Sequence, residues 1–323
     1  MILIISTDQD PHTTAVKKVL DAKGAEHRTL DLSEFPMSME IGLSFANGAA
    51  SQYALRFKDG ARIDVGSVKS VWWRRPQGFG FPQTMSDPVN RGFAHQESDF
   101  AFKGMWLATG AYWMNDINRD LQASHKVWQL SVARELGLSI PRTLITNSAT
   151  DARRFKAESK GRVIYKAFLA SPMAWRETRI LEDADMEHLD AVQLAPVIFQ
   201  SYVPSVADLR VTCVGRKLFP AAADIAKADY MTDVRMNPGI TWRPYDLPKD
   251  VADKVLKMMD LFDLEYGAFD FRVTPEGEHV FLEVNPAGQF LFIENATGLK
   301  ITDEIAGRMM AGSRVGQPLA AAA

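Results

Sequence analysis

The amino-acid sequence predicts a mixed α/β protein with more than one domain, and three observations support this prediction. The chain has 323 residues, 46% of them hydrophobic, which is enough to bury a large core and to form several lobes. It begins with an apolar strand-like run that is followed by a helical pattern. It also contains, at residues 267–285, two strand-like runs joined by a short polar turn. We therefore expect an α/β domain first and an antiparallel (α+β) region later in the chain.

Composition and charge argue against several classes of protein. The net charge is −3 and the pI is near 6.1, so no overall basic field attracts nucleic acid or an anionic membrane. The apolar start is too short for a signal peptide, and no run approaches the roughly 20 apolar residues that span a bilayer. The single cysteine, Cys213, lies in an apolar run and is expected to be a buried, inert thiol. We expect a cytoplasmic protein with no nucleic-acid or membrane partner.

The N-terminal segment predicts a small α/β domain at residues 1–115. Its first strand is followed by hydrophobic residues at helical spacing. A second strand, 68–73, ends in Arg74 and Arg75, and the glycine- and proline-containing run after it must be a loop. His12, with Thr13 and Thr14, follows the first strand, where it could meet a ligand, but a role in capping the helix is the simpler expectation.

The remaining elements alternate between helices and strands. One helix is expected from about Asn118 to Gly137, and another over 251–262. Strands are expected at 162–168, at 196–203 and on both sides of Gly215, before the closing pair. The predicted divisions are a central lid subdomain at 116–195, a C-terminal catalytic subdomain at 196–312 and a tail at 313–323.

The closing hairpin has the most informative pattern in the sequence. Its strands, 267–273 and 279–285, are separated by a short turn that contains Pro275 and Gly277. If that turn has four residues, the strand register follows from it, because opposite residues of an antiparallel pair are fixed by the turn. The expected pairs are Thr274 with His279, Arg272 with Phe281, and Asp270 with Glu283.

The opposed carboxylates of Asp270 and Glu283 predict a bound cation. Side chains at such positions have Cβ atoms about 4.5–5.5 Å apart, and like charges there are destabilising. Strand alternation places Asn285 on the same side. These three side chains supply hard oxygen ligands that suit Mg²⁺, whose remaining ligands come from water and phosphates, so a nucleotide is implied. The alternative, solvated carboxylates on an exposed sheet face, conflicts with the apolar residues around them.

At these residues the chain resembles the ATP-grasp superfamily, whose magnesium site is a strand Asp followed by Glu-x-Asn on the next strand. The resemblance implies an ATP-grasp fold with a pre-ATP-grasp domain, and it implies ATP with one or two Mg²⁺ ions as cofactors. The resemblance also gives roles to several other residues. Without the resemblance, these would be ordinary polar residues of strands, or arginines that form salt bridges with neighbouring carboxylates. The implied roles are Lys126 and Lys166 at the phosphates, Gln200, Tyr202 and Val203 at adenine, Asp208 at the ribose, and Arg210 and Arg272 at the γ-phosphate and acyl-phosphate.

Two further elements resemble the graspetide (microviridin-type) peptide synthetases: Trp-Trp-Arg-Arg-Pro at 72–76, and the Gly-Gln-Phe continuation at 288–290. The resemblance implies a homodimeric macrocyclase that binds the leader of a precursor peptide. It would activate acidic side chains of a core rich in acidic and hydroxyl residues, and then form ω-esters or ω-amides. Arg74 and Arg75 would suit an acidic core peptide. The alternative is two solvated arginines beside a buried tryptophan.

Two loops have expected roles, and two other functions stay open. The loop 169–175 follows the lysine strand and is the expected lid, although it has no glycine-rich phosphate loop. The segment 224–248 is one candidate for gripping the leader. One alternative is a glutathione-synthetase-like ligase that joins an amino acid or amine to a small carboxylate. The other is an inactive ATP-binding scaffold, against which the intact Asp270, Glu283, Asn285 and Lys166 set argues.

Overall fold

The computed structural model describes residues 1–168, 177–225 and 240–312. Within these ranges the chain forms an α/β domain, a central antiparallel sheet and a five-stranded antiparallel sheet. The mixed α/β class predicted from the sequence is confirmed.

The N-terminal domain is built around a four-stranded parallel sheet in the order β2-β1-β6-β7, with a separate three-stranded antiparallel sheet, β3-β4-β5. Alternate residues of β1 point to opposite faces, so one face packs on α1 and the other on α2. Its elements are β1 (Ile2–Ile5), α1 (Pro11–Ala22), β2 (His27–Leu30), β3 (Met39–Ser44), β4 (Gln52–Phe57), β5 (Arg62–Asp64), β6 (Ser70–Trp73), α2 (Pro88–Leu107) and β7 (Tyr112–Met114).

The first helix is capped by Asp10, not by His12. The Asp10 carboxylate accepts a hydrogen bond from the backbone N–H of His12 at 2.8 Å, and Pro11 occupies the first helical position, where no N–H is needed. His12 itself is buried. The expected capping role of His12 is therefore wrong.

The central region contains a sheet in the order β10-β9-β11-β8. Strand β11 pairs with β8 and β9, whereas the predicted division after residue 195 would separate them. We therefore propose that the central subdomain extends through Ser201. Its elements are β8 (Thr143–Thr146), α5 (Ala149–Glu158), β9 (Val163–Lys166), β10 (Arg179–Ile180) and β11 (Val197–Ser201). The two preceding helices, α3 (Ile117–Ala123) and α4 (Lys126–Glu135), pack into the core of the C-terminal sheet.

The single helix expected from Asn118 to Gly137 is two helices, so that prediction is wrong. The backbone of His125 is extended (ψ 103°) and separates α3 from α4. The Gln129 side chain donates hydrogen bonds to the carbonyl of Ala123 at 2.6 Å and to that of Val284 at 2.8 Å. A buried glutamine thus satisfies the end of α3 and fixes α4 against the closing strand, which a pattern of hydrophobic residues does not reveal.

The C-terminal region is a sheet in the order β14-β13-β12-β15-β16, all neighbours antiparallel. Both strands of the predicted closing hairpin are confirmed, as are the pair around Gly215 and the helix that ends at Phe262. The elements are β12 (Ala207–Val214), β13 (Lys217–Asp224), β14 (Trp242–Pro244), α6 (Lys249–Phe262), β15 (Tyr266–Val273), β16 (His279–Asn285), α7 (Leu291–Thr297) and α8 (Ile301–Ala311).

The two faces of this sheet have different chemistry. Odd-numbered residues of β12 and β15, such as Leu209, Phe269 and Phe271, are buried in a core with Val255 and Phe262 of α6. Burial of these large apolar side chains stabilises the sheet by about 1.5–3 kcal/mol for each of them. The even-numbered residues point to the opposite face. That second face is the one that carries charge.

The register of the closing hairpin differs from the prediction near the turn and agrees with it further along. His279 pairs with Val273 and Val280 with Arg272, so the expected pairs with Thr274 and Phe281 are wrong. A β-bulge then leaves Leu282 without a partner on β15, and beyond it Asp270 faces Glu283 as predicted. A bulge inserts one extra residue in one strand, which here compensates for the longer turn.

Cys213 lies fully buried in β12, and burial raises the pKa of its thiol to about 12. The prediction of an inert core thiol is confirmed.

In the parts of the chain that the structure describes, no helix combines the length and the apolar character that crossing a bilayer requires.

Candidate functional site

A row of four charged side chains crosses the C-terminal sheet. Arg210 on β12 lies opposite Asp270 on β15, which in turn lies opposite Glu283 on β16. Arg210 Nε is 3.1 Å from Asp270 Oδ1, and the ammonium group of Lys126, at the start of α4, pairs with Glu283 Oε2. The charges run plus, minus, minus, plus. The two acids in the middle are thus neutralised from both ends.

A second pair of charges lies one pleat away, and its order is reversed. Asp208 on β12 faces Arg272 on β15, and Arg272 Nε is 3.2 Å from Asp208 Oδ1. Arg272 also donates a hydrogen bond to the carbonyl of Val203 at 3.0 Å, and its guanidinium lies 5.3 Å from the ring centroid of Tyr202. Arg272 therefore connects the C-terminal sheet to the segment that follows β11.

These contacts correct the electrostatic argument made from the sequence. The opposed carboxylates do not depend on a shared divalent ion, because each has its own cationic partner. The alternative considered for Arg210 and Arg272, salt bridges to neighbouring carboxylates, is what the structure shows. The carboxylates are not solvated on an open face either, since Asp270 and Glu283 side chains are only 27% and 30% exposed.

The electrostatics keep Glu283 ionised. Burial alone would raise the pKa of Glu283, but the positive charges of Lys126, Lys166 and Arg210 outweigh burial and lower the pKa to about 2. For Lys166 burial lowers the pKa and the neighbouring Lys126 adds to this effect, while Glu283 and Asp270 oppose it. The site therefore holds a carboxylate that is charged throughout the physiological pH range.

The donor set fits a magnesium ion. Asp270 and Glu283 present two carboxylates on neighbouring strands, and Mg²⁺ is commonly held by one or two carboxylates with water and phosphate oxygens as the other ligands. Asn285 lies opposite Ala268 at the end of β16, and its Oδ1 accepts a hydrogen bond from the backbone N–H of Ala287 at 3.0 Å. Among the described residues, no three His, Cys, Asp or Glu side chains form a metal-binding group, so the fit rests on the two carboxylates.

Five of the residues assigned to ATP line one cavity between the central and C-terminal sheets. They come from β9, from β11 and the segment after it, and from β15, which the fold brings together from distant parts of the chain. They are Lys166, Gln200, Tyr202, Val203 and Arg272.

Two of the assigned residues have partners that the sequence did not indicate. Gln200 is buried, and its Nε2 donates a hydrogen bond to Thr143 Oγ1 on β8 at 2.9 Å. Asp208 is not among the residues lining the cavity, and its carboxylate pairs with Arg272. The structure thus places Lys166, Tyr202 and Val203 at the cavity, where the Tyr202 N–H donates to the carbonyl of Arg162 at 2.8 Å and the Val203 carbonyl accepts from Arg272.

Arg74 differs from both expectations, because it is neither solvated nor available to a substrate. It is 2% exposed, and its Nε lies 3.1 Å from Asp10 Oδ2. It donates hydrogen bonds to the carbonyls of Ala287 at 2.6 Å and Gly288 at 3.1 Å. Arg75 is exposed and donates to Ala287 as well, at 3.1 Å. Arg74 therefore joins the N-terminal domain to the loop that follows the carboxylate strand.

Gly288 has a steric reason for its place in this loop. A Cβ atom at residue 288 would collide with the Cβ of Ala268 on β15 and would lie 3.5 Å from Arg210 Nη1. Only glycine lets the loop approach the charged face so closely. The Gly-Gln-Phe run singled out in the sequence thus positions the loop beside Arg210.

Sequence reasoning missed two polar residues at the same junction. Asn115 is buried, donates to the carbonyls of Tyr266 and Pro286 at 2.9 Å, and accepts from the backbone of Glu265. Burial raises the pKa of nearby Asp120 to about 6, against the opposing effect of a hydrogen bond with Asn115. The only sequence signal is the polar residue Asn115 directly after β7.

Three expected elements fall outside the described residues. They are the lid at 169–175, most of the segment 224–248 that was considered for gripping a leader, and the tail at 313–323. All three remain predictions.

Comparisons with known proteins find a matching N-terminal family model and similar solved structures. Residues 1–120 match a family model described as the MvdD pre-ATP grasp domain. No curated protein matches the chain. Macrocyclase MdnC bound with precursor peptide MdnA from Microcystis aeruginosa MRC is a similar solved structure, with 28% identity and a TM-score of 0.85; the match covers 96% of this chain and 99% of that one.

Two further solved structures are similar. The Chryseobacterium gregarium RiPP-associated ATP-grasp ligase, in complex with ADP and a leader and core peptide, has 25% identity and a TM-score of 0.85, with 97% of each chain covered. ATP-grasp ligase PsnB, complexed with minimal precursor, Mg and ADP, has 24% identity and a TM-score of 0.76, with 96% and 97% covered. The ATP-grasp fold predicted from the sequence is confirmed, and the chain resembles RiPP-associated ATP-grasp ligases along nearly its whole length.

The contacts of Arg74 predict that two adjacent arginines contribute very differently to the free energy of unfolding. Arg74→Met should lower the free energy of unfolding by about 3–5 kcal/mol, because it leaves Asp10 buried without its cation. Arg75→Met is the matched control and should cost less than about 1 kcal/mol, because Arg75 is exposed. Urea denaturation monitored by fluorescence measures both. Equal, small losses would show that Arg74 does not hold the domains together.

His12 predicts a loss of stability in mild acid. Burial and the positive charge of Arg74 lower its pKa to about 4, with Asp10 opposing. Below pH 6.5 the unfolded chain binds a proton that the native state does not, so stability falls as the pH drops from about 6.5 to about 4, by at most about 3 kcal/mol. Urea denaturation of wild type at pH 7.5 and 4.5 should show this loss.

The matched variants for this test are His12→Asn and His188→Asn. His188 is exposed, so its variant should keep the wild-type dependence on pH, whereas the His12 variant should lose part of it. Identical profiles for all three proteins would contradict the assignment of a buried neutral imidazole.

Proposed function

We propose that this protein is an ATP-dependent carboxylate ligase that forms ω-ester or ω-amide cross-links between side chains of a ribosomally made precursor peptide. The observation that carries the proposal is the charged face of the C-terminal sheet, where Asp270 and Glu283 lie beside a cavity lined by Lys166. The likeness to a macrocyclase bound with its precursor peptide, over 96% of this chain, supports a peptide as the substrate.

ATP would bind in the cavity between the two sheets. Tyr202 and Val203 lie at its edge, where the Tyr202 carbonyl and the Val203 N–H would meet adenine, and Lys166 on β9 would contact the phosphates. Asp270 and Glu283, with Asn285 beside them, would hold one or two Mg²⁺ ions. Bound there, the metal would neutralise charge on the β- and γ-phosphates, which is its usual contribution to phosphoryl transfer.

The reaction then has two balanced steps. A carboxylate of the core peptide attacks the γ-phosphorus of ATP, the bond from that phosphorus to the β-phosphate bridging oxygen breaks, and ADP leaves. A hydroxyl or amine of the same peptide next attacks the acyl carbon of the acyl-phosphate, gives up its proton, and releases phosphate. The peptide loses one water for each link.

The residues of this chain contribute charge and position to these steps. The attack brings one anion to another, so fixed positive groups beside the transferring phosphate lower the barrier. Arg210 lies in the charged row and next to the Gly288 loop, and Lys126 and Lys166 approach Glu283 from the other end. Arg272, held by Asp208 and Val203, would orient the nucleotide edge of the site and then meet the acyl-phosphate.

The substrate side of the site needs one revision. Arg74 forms an ion pair with Asp10 and donates hydrogen bonds to two carbonyls, so it is not proposed as a contact of the core peptide. Arg75 is exposed at the same loop and keeps the proposed contact with an acidic core. A leader-binding segment is not assigned among the described residues.

The proposed reaction predicts a change in peptide mass. Incubation of the protein with ATP, Mg²⁺ and a short precursor peptide encoded beside its gene should remove one water from the peptide per link, as mass spectrometry measures. Fragmentation locates each link and distinguishes ester from amide. Unchanged peptide mass together with phosphate release driven by small amines would reject the macrocyclase and favour the ligase for small carboxylates. Absence of ADP with every acceptor would favour a scaffold.

We expect a substitution at Asp270 to reduce catalytic activity without unfolding the protein. Asp270→Asn should reduce ADP formation about 100-fold or more, since it removes a carboxylate that would hold Mg²⁺ at the phosphates, while the fold persists. Asp253→Asn is the matched control, because Asp253 lies exposed on α6 in a surface ion pair with Lys249. Circular dichroism and thermal unfolding establish folding. Full turnover in the Asp270→Asn variant, or failure of that variant to fold, would contradict the role of Asp270 as a metal ligand.

A further inference from the structure

The outer face of the three-stranded sheet β3-β4-β5 carries a row of charged side chains. Alternate residues of these strands, such as Leu55 and Ile63, are buried in the core that also contains α2. The residues between them lie on the opposite face of the sheet. There Arg56 on the middle strand is opposite Glu40 on β3 and opposite Arg62 on β5, and all three side chains are exposed. The charges run minus, plus, plus.

The positive charges of this row are not neutralised within the sheet. Arg56 and Arg62 are like charges that face each other directly, which destabilises an antiparallel pair. Lys58, just after β4, adds a third positive charge. In the part of the chain that the structure describes, Lys58 and Arg62 have no ion pair and no side-chain hydrogen bond, and Arg56 has a 3.6 Å contact with Glu40. Three positive charges thus face one negative charge.

The other nearby carboxylates are engaged elsewhere. Asp59, in the turn after β4, lies 3.5 Å from Arg28 and accepts a hydrogen bond from the backbone N–H of Ala61 at 2.8 Å. Asp64 accepts one from the backbone N–H of Gly66 at 3.0 Å. In the charged row of the C-terminal sheet, by contrast, both carboxylates have cationic partners from the chain itself. An external anion would therefore stabilise the row on β3-β4-β5.

A groove of about 380 Å³ lies at this end of the sheet, and it is lined by Glu40, Arg56, Lys58 and Arg62. Apolar residues, among them Pro36, Met37 and Phe57, form other parts of its lining. Met37 is 46% exposed, and a flexible thioether side chain adapts to apolar groups of different shape. The groove therefore offers positive charge and apolar contact side by side.

We propose that this groove binds an acidic peptide segment, with carboxylates paired to Arg56 and Arg62 and an apolar side chain against Met37. A guanidinium group binds a carboxylate through two parallel hydrogen bonds, so two neighbouring arginines suit two carboxylates. Three cations in a chain of net charge −3 do not form the extended basic surface that nucleic acid requires. An anionic membrane attracts clusters of about four to eight basic residues.

The groove lies on the far side of the N-terminal domain from the nucleotide cavity. Strands β3, β4 and β5 pack on the face of the parallel sheet that α2 covers. The C-terminal sheet packs, together with α1 and α8, on the other face. A peptide in the groove therefore leaves the cavity open, and the inference is independent of the proposed function.

The binding of a fluorescein-labelled hexaglutamate peptide tests the proposal. Fluorescence anisotropy is measured at low ionic strength with ADP and Mg²⁺ present, so that the nucleotide cavity is occupied. Replacing Arg56, Lys58 and Arg62 together by Gln should weaken binding of the peptide about tenfold, since exposed ion pairs contribute modestly and three are removed. Thermal unfolding confirms that the variant is folded. An unchanged affinity would overturn the proposal.

The matched control removes three positive charges that already have carboxylate partners. They are replaced by Gln at Arg154, Arg216 and Lys249, which pair with Asp151, Asp260 and Asp253. This variant should bind the probe within about twofold of wild type, and a loss equal to that of the groove variant would reduce the effect to net charge. Arg75→Gln should also leave the affinity unchanged. A loss there would place the probe in the cleft and overturn the proposal.

A variant of opposite sign does not depend on the folding of the triple variant. Glu40→Gln removes the acid that competes for Arg56, so hexaglutamate should bind about two- to threefold more tightly. Glu187→Gln, at an exposed acid of the central region, is its control and should bind like wild type. Weaker binding after Glu40→Gln would contradict the proposal. Displacement of the probe by inorganic phosphate as readily as by unlabelled hexaglutamate would identify a phosphate site instead.

Discussion

The alternation of side chains along β12 and β15 is the constraint on which the site depends. One set of alternate residues, which includes Leu209 and Phe271, builds the core under α6. The other set, which includes Arg210, Asp270 and Arg272, must therefore face the cleft, and the pairing of the strands places opposite charges next to each other. A shift of one residue in register would exchange the two sets, so the core and the site stabilise the same arrangement.

The charged face also explains how the parts of the chain are held together. Lys126 brings the start of α4 to Glu283, Arg272 brings the segment after β11 to β15, and Arg74 brings the N-terminal domain to the loop at 286–288. Each contact joins a charge to a group on another element. Because partly buried charges are costly when a partner is lost, these contacts keep the cleft in one geometry while leaving Tyr202 and Val203 at its edge.

The sequence alone was sufficient to predict local secondary structure and one pair of facing residues on neighbouring strands. The strands at the end of the fold and the opposition of Asp270 and Glu283 follow from alternation and from a turn. The turn is one residue longer than the sequence predicts. The bulge at Leu282 compensates for the extra residue, so the predicted register holds beyond it. The identity of the neutralising partners was out of reach, because Lys126 is 157 residues from Glu283 in the chain and meets it only through tertiary packing. The burial of Arg74 depends in the same way on a loop more than 200 residues away.

If Asp270 and Glu283 hold Mg²⁺ in the proposed reaction, they exchange their ion-pair partners, Arg210 and Lys126, for the divalent ion when the nucleotide binds. The most direct measurement is anomalous diffraction from crystals of the protein with ADP and Mn²⁺ in place of Mg²⁺. The account predicts an anomalous peak in contact with both Asp270 and Glu283, with the ammonium group of Lys126 moved from the carboxylate. A peak that contacts neither residue, with the ion pairs to Arg210 and Lys126 intact, would contradict it.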